Sequence, residues 1–197
     1  MTEPVRAARP DDGAVVQAVA RESWHAAYDD VIGAETVDRT IDRWYALDSL
    51  ADQITDAAGR DDATFLVYER VDSSDGDDDT HADSARSGTD GVEPMKAASK
   101  IVGFAHAGPH PDRTGTAKLS RIYVRPAVWG DGVGSRLLEQ VERELGPHFE
   151  TLWLEVLADN DVGVSFYEAT GFVRVDEQES VLGDGEVREY IYEKELS

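Results

Sequence analysis

Apolar residues recur along this chain with two different periods, and the alternation between them lays out the elements. Val5 to Ala8 predicts a short first strand, and Pro10-Asp11-Asp12-Gly13 is turn chemistry in which Asp12 is placed to cap a helix. Ala14, Val15, Ala18 and Val19 then follow at helical spacing, and a second helical stretch from Ser23 to Ile54 is interrupted near Ile32-Gly33. Thr64–Glu69, Lys100–Ala107 and Ala117–Val124 are β-branched and aromatic runs that predict strands, the last ended by Pro126. Leu137, Leu138, Val141 and Leu145 return to helical spacing until Gly146-Pro147 stops them. Thr151–Leu157 is apolar at nearly every position, as suits a strand covered on both faces. A helix joins it to the strand at 119–124, so the two are expected to run parallel. Asp159-Asn160 then caps a helix over Val162–Thr170, Gly171 ends it, and Phe172-Val173 opens another strand. Arg188–Glu195 closes the chain after a hairpin turn at Gly183-Asp184-Gly185. The sum is a mixed α/β fold, a central sheet with flanking helices.

One segment breaks both periods. From 71 to 99 the chain is Asp, Ser, Gly and Thr with almost no large apolar side chain. Such a composition buries too little surface to offset its ordering entropy, so a disordered acidic insertion between two hairpin strands is expected within one domain spanning 1–197. Charge sharpens the picture. With 19 basic and 41 acidic residues the formal net charge is -22, which opposes nucleic acid or an anionic membrane surface as a partner. Dense carboxylate with few lysines also resembles the proteins of extreme halophiles. Cysteine is absent, so thiolate chemistry and disulfides are excluded. No long apolar run is present, and a cytoplasmic protein is expected. His106 and His110 have the spacing of a metal pair, but Gly108-Pro109 between them denies a shared helix face, and no metal is expected.

The chemistry concentrates between Leu119 and Gly146. Gly130, Gly132 and Gly134 alternate through a turn that feeds a helix. The first turn of a helix carries unpaired N–H groups and the positive end of its dipole, and glycine lets an anion reach that backbone. The spacing lacks the third glycine of a dinucleotide fingerprint and the Lys-Ser/Thr of a nucleotide P-loop. It resembles the pyrophosphate loop Q/R-x-x-G-x-G/A of the GCN5-related N-acetyltransferases, with Trp129 where that family usually has Gln or Arg. A second stretch, Asn160, Phe166-Tyr167 and Gly171-Phe172, resembles the family's other hallmark one helix downstream. TLWLEVLADN…FYEATGF is similar in particular to the ribosomal-protein alanine N-acetyltransferase branch.

The resemblance implies the family's acyl-CoA N-acyltransferase fold, a mostly antiparallel sheet with one splayed parallel pair. It implies acetyl-CoA as co-substrate and a primary amine as acceptor, whether a protein N-terminus, a lysine or a small amine, in a monomer or homodimer. It assigns the backbone of Gly130, Asp131, Gly132, Val133, Gly134 and Ser135, with Trp129, to the pyrophosphate. Ile122, Tyr123 and Val124 go to the pantetheine arm, for which Ile122 and Val124 offer backbone groups. Asn160 goes to the same arm, although helix capping alone also accounts for it. Arg125 and Arg136 are further candidates to face phosphate. Tyr167 is the candidate acid for the departing thiolate, against a core aromatic. Glu155 is the candidate base, as a carboxylate inside an apolar strand, against a structural carboxylate or a water-relayed base. Trp24 and Tyr28 are candidates for the acceptor groove or for the core, and Trp44 and Tyr45 for core or rim. A catalytically silent acyl-CoA-binding module is the alternative from another class. Deleting 71–99 is expected to leave the thermal midpoint almost unchanged, as scanning calorimetry of the shortened chain would test.

Overall fold

The computed structural model describes residues 4–71, 99–182 and 185–196. The segment assigned above to an acidic insertion lies, but for its end residues, outside the described residues, as do the first two residues of the hairpin turn at 183–185. Strands β1 (Val5–Ala7), β2 (Thr64–Val71), β3 (Ser99–Pro109), β4 (Thr116–Val124), β5 (Thr151–Leu157), β6 (Val173–Leu182) and β7 (Gly185–Glu195) form one seven-stranded sheet in the order β1-β2-β3-β4-β5-β7-β6. Every neighbouring pair is antiparallel except β4–β5, which is parallel because a helix connects them. The helices are α1 (Gly13–Ile32), α2 (Ala34–Trp44), α3 (Leu47–Ala58), α4 (Val133–Leu145) and α5 (Asp161–Ala169).

The expected break near Gly33 is present, with that residue at φ 81°. A second break at Tyr45-Ala46 was not foreseen, since neither residue is a helix breaker. Tertiary packing makes it. Tyr45 is 1% exposed, its ring meeting Phe104 and Tyr123 edge-on at 6.2 and 6.4 Å, and the chain leaves helical geometry to put it there. The strands at 99–109 and 185–195 are longer than their apolar patterns indicated, because backbone pairing extends them through Gly108-Pro109 and through Gly185–Val187.

Two layers cover the sheet. Val16, Val19, Ala20, Ile41, Leu50 and Ile54 of α1–α3 pack with Phe65, Val67 and Phe104 on one face. Leu137, Leu138, Val141 and Leu145 of α4 pack with Leu66, Ala105, Leu119, Leu152 and Leu154 on the other. Gly103 of β3 sets how closely α4 approaches. A Cβ there would lie 3.1 Å from Val133 Cγ1 and 3.2 Å from both Leu137 Cδ1 and the Tyr123 carbonyl oxygen. The sheet ends on β6, which is exposed along nearly its whole length.

His106 and His110 do not converge. His106 stacks on Phe65, with ring centroids 4.9 Å apart, and its Nδ1 is buried with no partner among the described residues, whereas His110 packs edge-on against Trp153 at 4.7 Å. Burial, helped by the Arg121 charge, pushes His106 down to about 4 from 6.5. Between those values the unfolded chain binds a proton that the fold refuses. This contribution to stability is therefore complete above pH 6.5 and lost as pH falls toward 4. Urea titrations of His106→Phe should show a shallower acid limb than the parent in that window, by on the order of 1–3 kcal/mol at pH 4.

Candidate active site

Strands β4 and β5 pair only at Thr116–Thr151, Ala117–Leu152 and Lys118–Trp153, then part. Beyond that rung a cavity of about 730 Å³ opens between them, floored by the sheet and closed by α1, α4 and α5. Strand geometry fixes what faces it. Arg125 N–H donates to the Val102 carbonyl of β3 at 2.8 Å, so alternation turns the backbone groups of Tyr123 toward β3 and those of Ile122 and Val124 toward the gap. One of these is already used, since Trp129 Nε1 donates to the Val124 carbonyl at 2.7 Å.

The glycine turn stands at the far end of β4. Gly130 and Gly132 have φ of 85° and 77°, values that favour glycine, and no atom of the described residues lies within 4 Å of where a Cβ would project from either. Gly132 is the N-cap of α4, and Arg136 N–H donates back to its carbonyl. The N–H groups of Val133, Gly134 and Ser135 therefore have no partner within the helix. Gly134 lies under the Phe166 ring, 3.2 Å from the position of a Cβ, which ties the turn to α5. This bare, electropositive end fits a diphosphate. Asp131 is the exception among the candidate cradle residues. It does not line the cavity, and its carboxylate accepts from Arg70 at 3.0 Å. Arg125 and Arg136 are also engaged elsewhere, Arg125 with Glu22 and the Ile101 carbonyl, Arg136 with the Tyr68 hydroxyl at 2.7 Å.

Tyr167 projects from α5 into the cavity, packed edge-on against Phe166 and Phe172 at 5.4 and 5.5 Å. Burial, and next the neighbouring Tyr123 phenol, raise its hydroxyl well above 10, so it holds its proton throughout the physiological range. Asn160 does two jobs. Its Oδ1 accepts from Gly163 N–H at 2.9 Å and caps α5, while its Nδ2 donates to the Tyr28 hydroxyl at 2.7 Å. Tyr28 is 5% exposed and lines the cavity, so it serves as core and as wall together.

Glu155 faces the cavity from β5, but not as the deeply buried carboxylate that its apolar neighbours indicated. Its side chain is 28% exposed. Its Oε2 accepts from Lys118 Nζ at 2.7 Å and its Oε1 from Gln178 Nε2 at 3.1 Å. The cause is the splay itself: at the last paired rung β4 still delivers Lys118 alongside, while the gap beyond lets solvent in. Trp24, 4% exposed, lines the cavity between Tyr28 and Trp44, with centroids at 4.9 and 5.6 Å, and Trp44 forms an exposed rim. Arg121 and Tyr45 complete this aromatic end, Tyr45 as one of the expected core or rim aromatics and Arg121 with no signal in the sequence pattern. Among the described residues, no group of three or more His, Asp or Glu side chains is arranged to hold a metal ion.

The comparisons agree with this geometry. The model of the family described as "Acetyltransferase (GNAT) family" matches residues 43–172. The PaiA N-acetyltransferase of Thermoplasma acidophilum, solved in complex with coenzyme A, is similar over 99% of both chains at 24% identity and a TM-score of 0.72. The ribosomal-protein-S18-alanine N-acetyltransferase of Escherichia coli is similar over 98% of this chain and 93% of its own, at 18% identity and a TM-score of 0.60. A ribosomal-protein-alanine N-acetyltransferase of Brucella melitensis aligns over 98% of this chain and 99% of its own, at 17% identity and a TM-score of 0.61.

Asn160→Ala removes both a helix cap and the bond to a buried phenol. Its unfolding free energy is expected to fall by about 1–3 kcal/mol. Asn160→Asp, which keeps the capping oxygen, is expected to lose less. Urea denaturation of the two variants beside the parent checks the ranking.

Proposed function

Since this chain belongs to the acetyltransferase (GNAT) family and is an acetyl-CoA-dependent N-acetyltransferase, we propose that it acetylates a primary amine by direct attack, with Glu155 as base and Tyr167 as acid. One observation carries the reading. The gap between β4 and β5 runs from a bare helix N-terminus, past a proton-holding tyrosine, to a carboxylate beside an aromatic wall.

Acetyl-CoA brings the acetyl group as a thioester. The N–H groups of Val133, Gly134 and Ser135 hold its pyrophosphate, with the left-handed backbone of Gly130 and Gly132 giving access. Ile122 offers a backbone N–H and C=O to the pantetheine arm, and Val124 its N–H, since the Val124 carbonyl is held by Trp129. Asn160 orients the same arm from the start of α5, giving up or sharing its bond to Tyr28.

Amine attack requires the lone pair, so a proton must leave the amine nitrogen. Glu155 takes it, directly or through one water, while Lys118 and Gln178 fix the orientation of the carboxylate. A backbone N–H of β4 facing the gap donates to the carbonyl oxygen as charge builds there. The C–S bond then breaks, and Tyr167 gives its proton to the thiolate sulfur. No covalent acyl-enzyme is needed, and the chain has no cysteine to form one. The acceptor enters along Trp24, Tyr28 and Trp44. Among the described residues, no helix is long and apolar enough to cross a membrane.

Tyr167→Phe is expected to lower kcat by about ten- to a thousandfold while the Kd for acetyl-CoA stays within a few-fold. CoA-release kinetics with an amine panel, beside calorimetric titration with acetyl-CoA, separate the two. Equal losses in both would assign Tyr167 to packing alone.

A further inference from the structure

Two cations line the cavity, and only one of them is matched by a carboxylate. Lys118 is taken by Glu155 at 2.7 Å. Arg121 makes no salt bridge to any described residue, in a chain with 41 acidic side chains and 19 basic ones. Its contacts are neutral. Nη1 donates to Gln53 Oε1 at 2.7 Å, Nη2 donates weakly to the Trp44 carbonyl at 3.4 Å, and the guanidinium lies 4.7 Å from the centre of the Tyr45 ring. Tyr45 is 1% exposed, so this platform is rigid. The two hydrogen bonds use two of the five N–H donors of a guanidinium, leaving three.

A charge held on a platform, short of an anion and facing a cavity is a receptor for one. Guanidinium geometry suits the two oxygens of a carboxylate. Arg121 and Tyr123 share one face of β4, the face covered by α1–α3, where Trp24 and Trp44 form the wall of the cavity. The opposite face belongs to α4 and its phosphate-binding start. Arg121 therefore stands on the acceptor's side. We propose that the acetyl acceptor is an amine carrying a carboxylate, and that Arg121 binds this carboxylate while the amine reaches Glu155. This inference rests on the acetyl-transfer reading above and narrows it. A local cation on a fixed platform outweighs the diffuse field of an acidic protein, which salt screens within about 10 Å.

The test uses matched acceptors: amino acids, their carboxamides, the corresponding amines without a carboxyl group, and a polyamine. CoA release is followed with the full-length protein. The parent is expected to favour acid over carboxamide by at least about tenfold in kcat/KM. Arg121→Met should close that gap, chiefly by raising KM for the acid by about the same factor, with acetyl-CoA affinity kept by calorimetry. Arg121→Lys should restore part of the selectivity, since it keeps the charge but loses the fork. Equal turnover of acid and carboxamide by the parent, or preference for the polyamine, overturns the proposal without needing any variant. So does an Arg121→Met loss of the same factor on both acceptors. Tight acetyl-CoA binding with no CoA release for any amine instead overturns the acetyl-transfer reading itself, a result distinct from lost selectivity.

Discussion

The early end of one hydrogen-bonded ladder organises this protein. After Lys118–Trp153 the two parallel strands separate, and separation leaves the backbone N–H and C=O of Ile122 and the N–H of Val124 turned toward the gap, while the Val124 carbonyl is held by Trp129. Unpaired backbone inside a fold is costly unless water or a ligand satisfies it. The pantetheine arm proposed to lie along β4 would supply such partners. Much of the rest follows from keeping that gap open. Gly103 brings α4 down beside it, Gly134 receives Phe166, and Asn160 pins the start of α5 to Tyr28 on α1.

The elements were legible in the sequence wherever period and punctuation coincided. The glycine turn, the helix it feeds and the capping Asn160 are local features, written in adjacent residues, and the structure has them where the pattern predicted. The parallel run of β4 and β5 also followed from the intervening helix. Features set by contacts remote in sequence were hidden. The break at Tyr45-Ala46 comes from a tyrosine that packs against β3 and β4, and Lys118 meets Glu155 across 37 positions. The apolar neighbours of Glu155 pointed to a buried carboxylate, and only the splay reveals why its side chain is partly open. Asp131 sits inside the glycine motif, and the pairing of its carboxylate with an arginine from β2 is likewise a contact remote in sequence. Arg121 lacked any motif at all, since its meaning depends on Gln53, Trp44 and Tyr45 arriving around it.

Acidity shapes the molecule unevenly. The formal net charge is -22, and on the surface of the described residues carboxylates meet Arg21, Arg60 and Arg113 in exposed or partly exposed pairs that contribute little individually. Inside the cavity the balance is different. Lys118 and Arg121 line it with Glu155 and Glu189, so a site within a strongly anionic protein is close to electrically even.

The outermost strand carries a last consequence. Among the described residues β6 has no neighbour on one margin of the sheet, and Val173, Val175 and Val181 are 65%, 50% and 73% exposed along it. Such a margin invites another chain to continue the sheet, the first step toward aggregation. Asp176, Glu177 and Glu179 interrupt those valines, and a register shift between Arg174 and Asp176 distorts the margin. Two copies brought side by side along β6 would stack carboxylate on carboxylate across a bent seam, so the molecule carries its own barrier to self-extension where it is otherwise least protected.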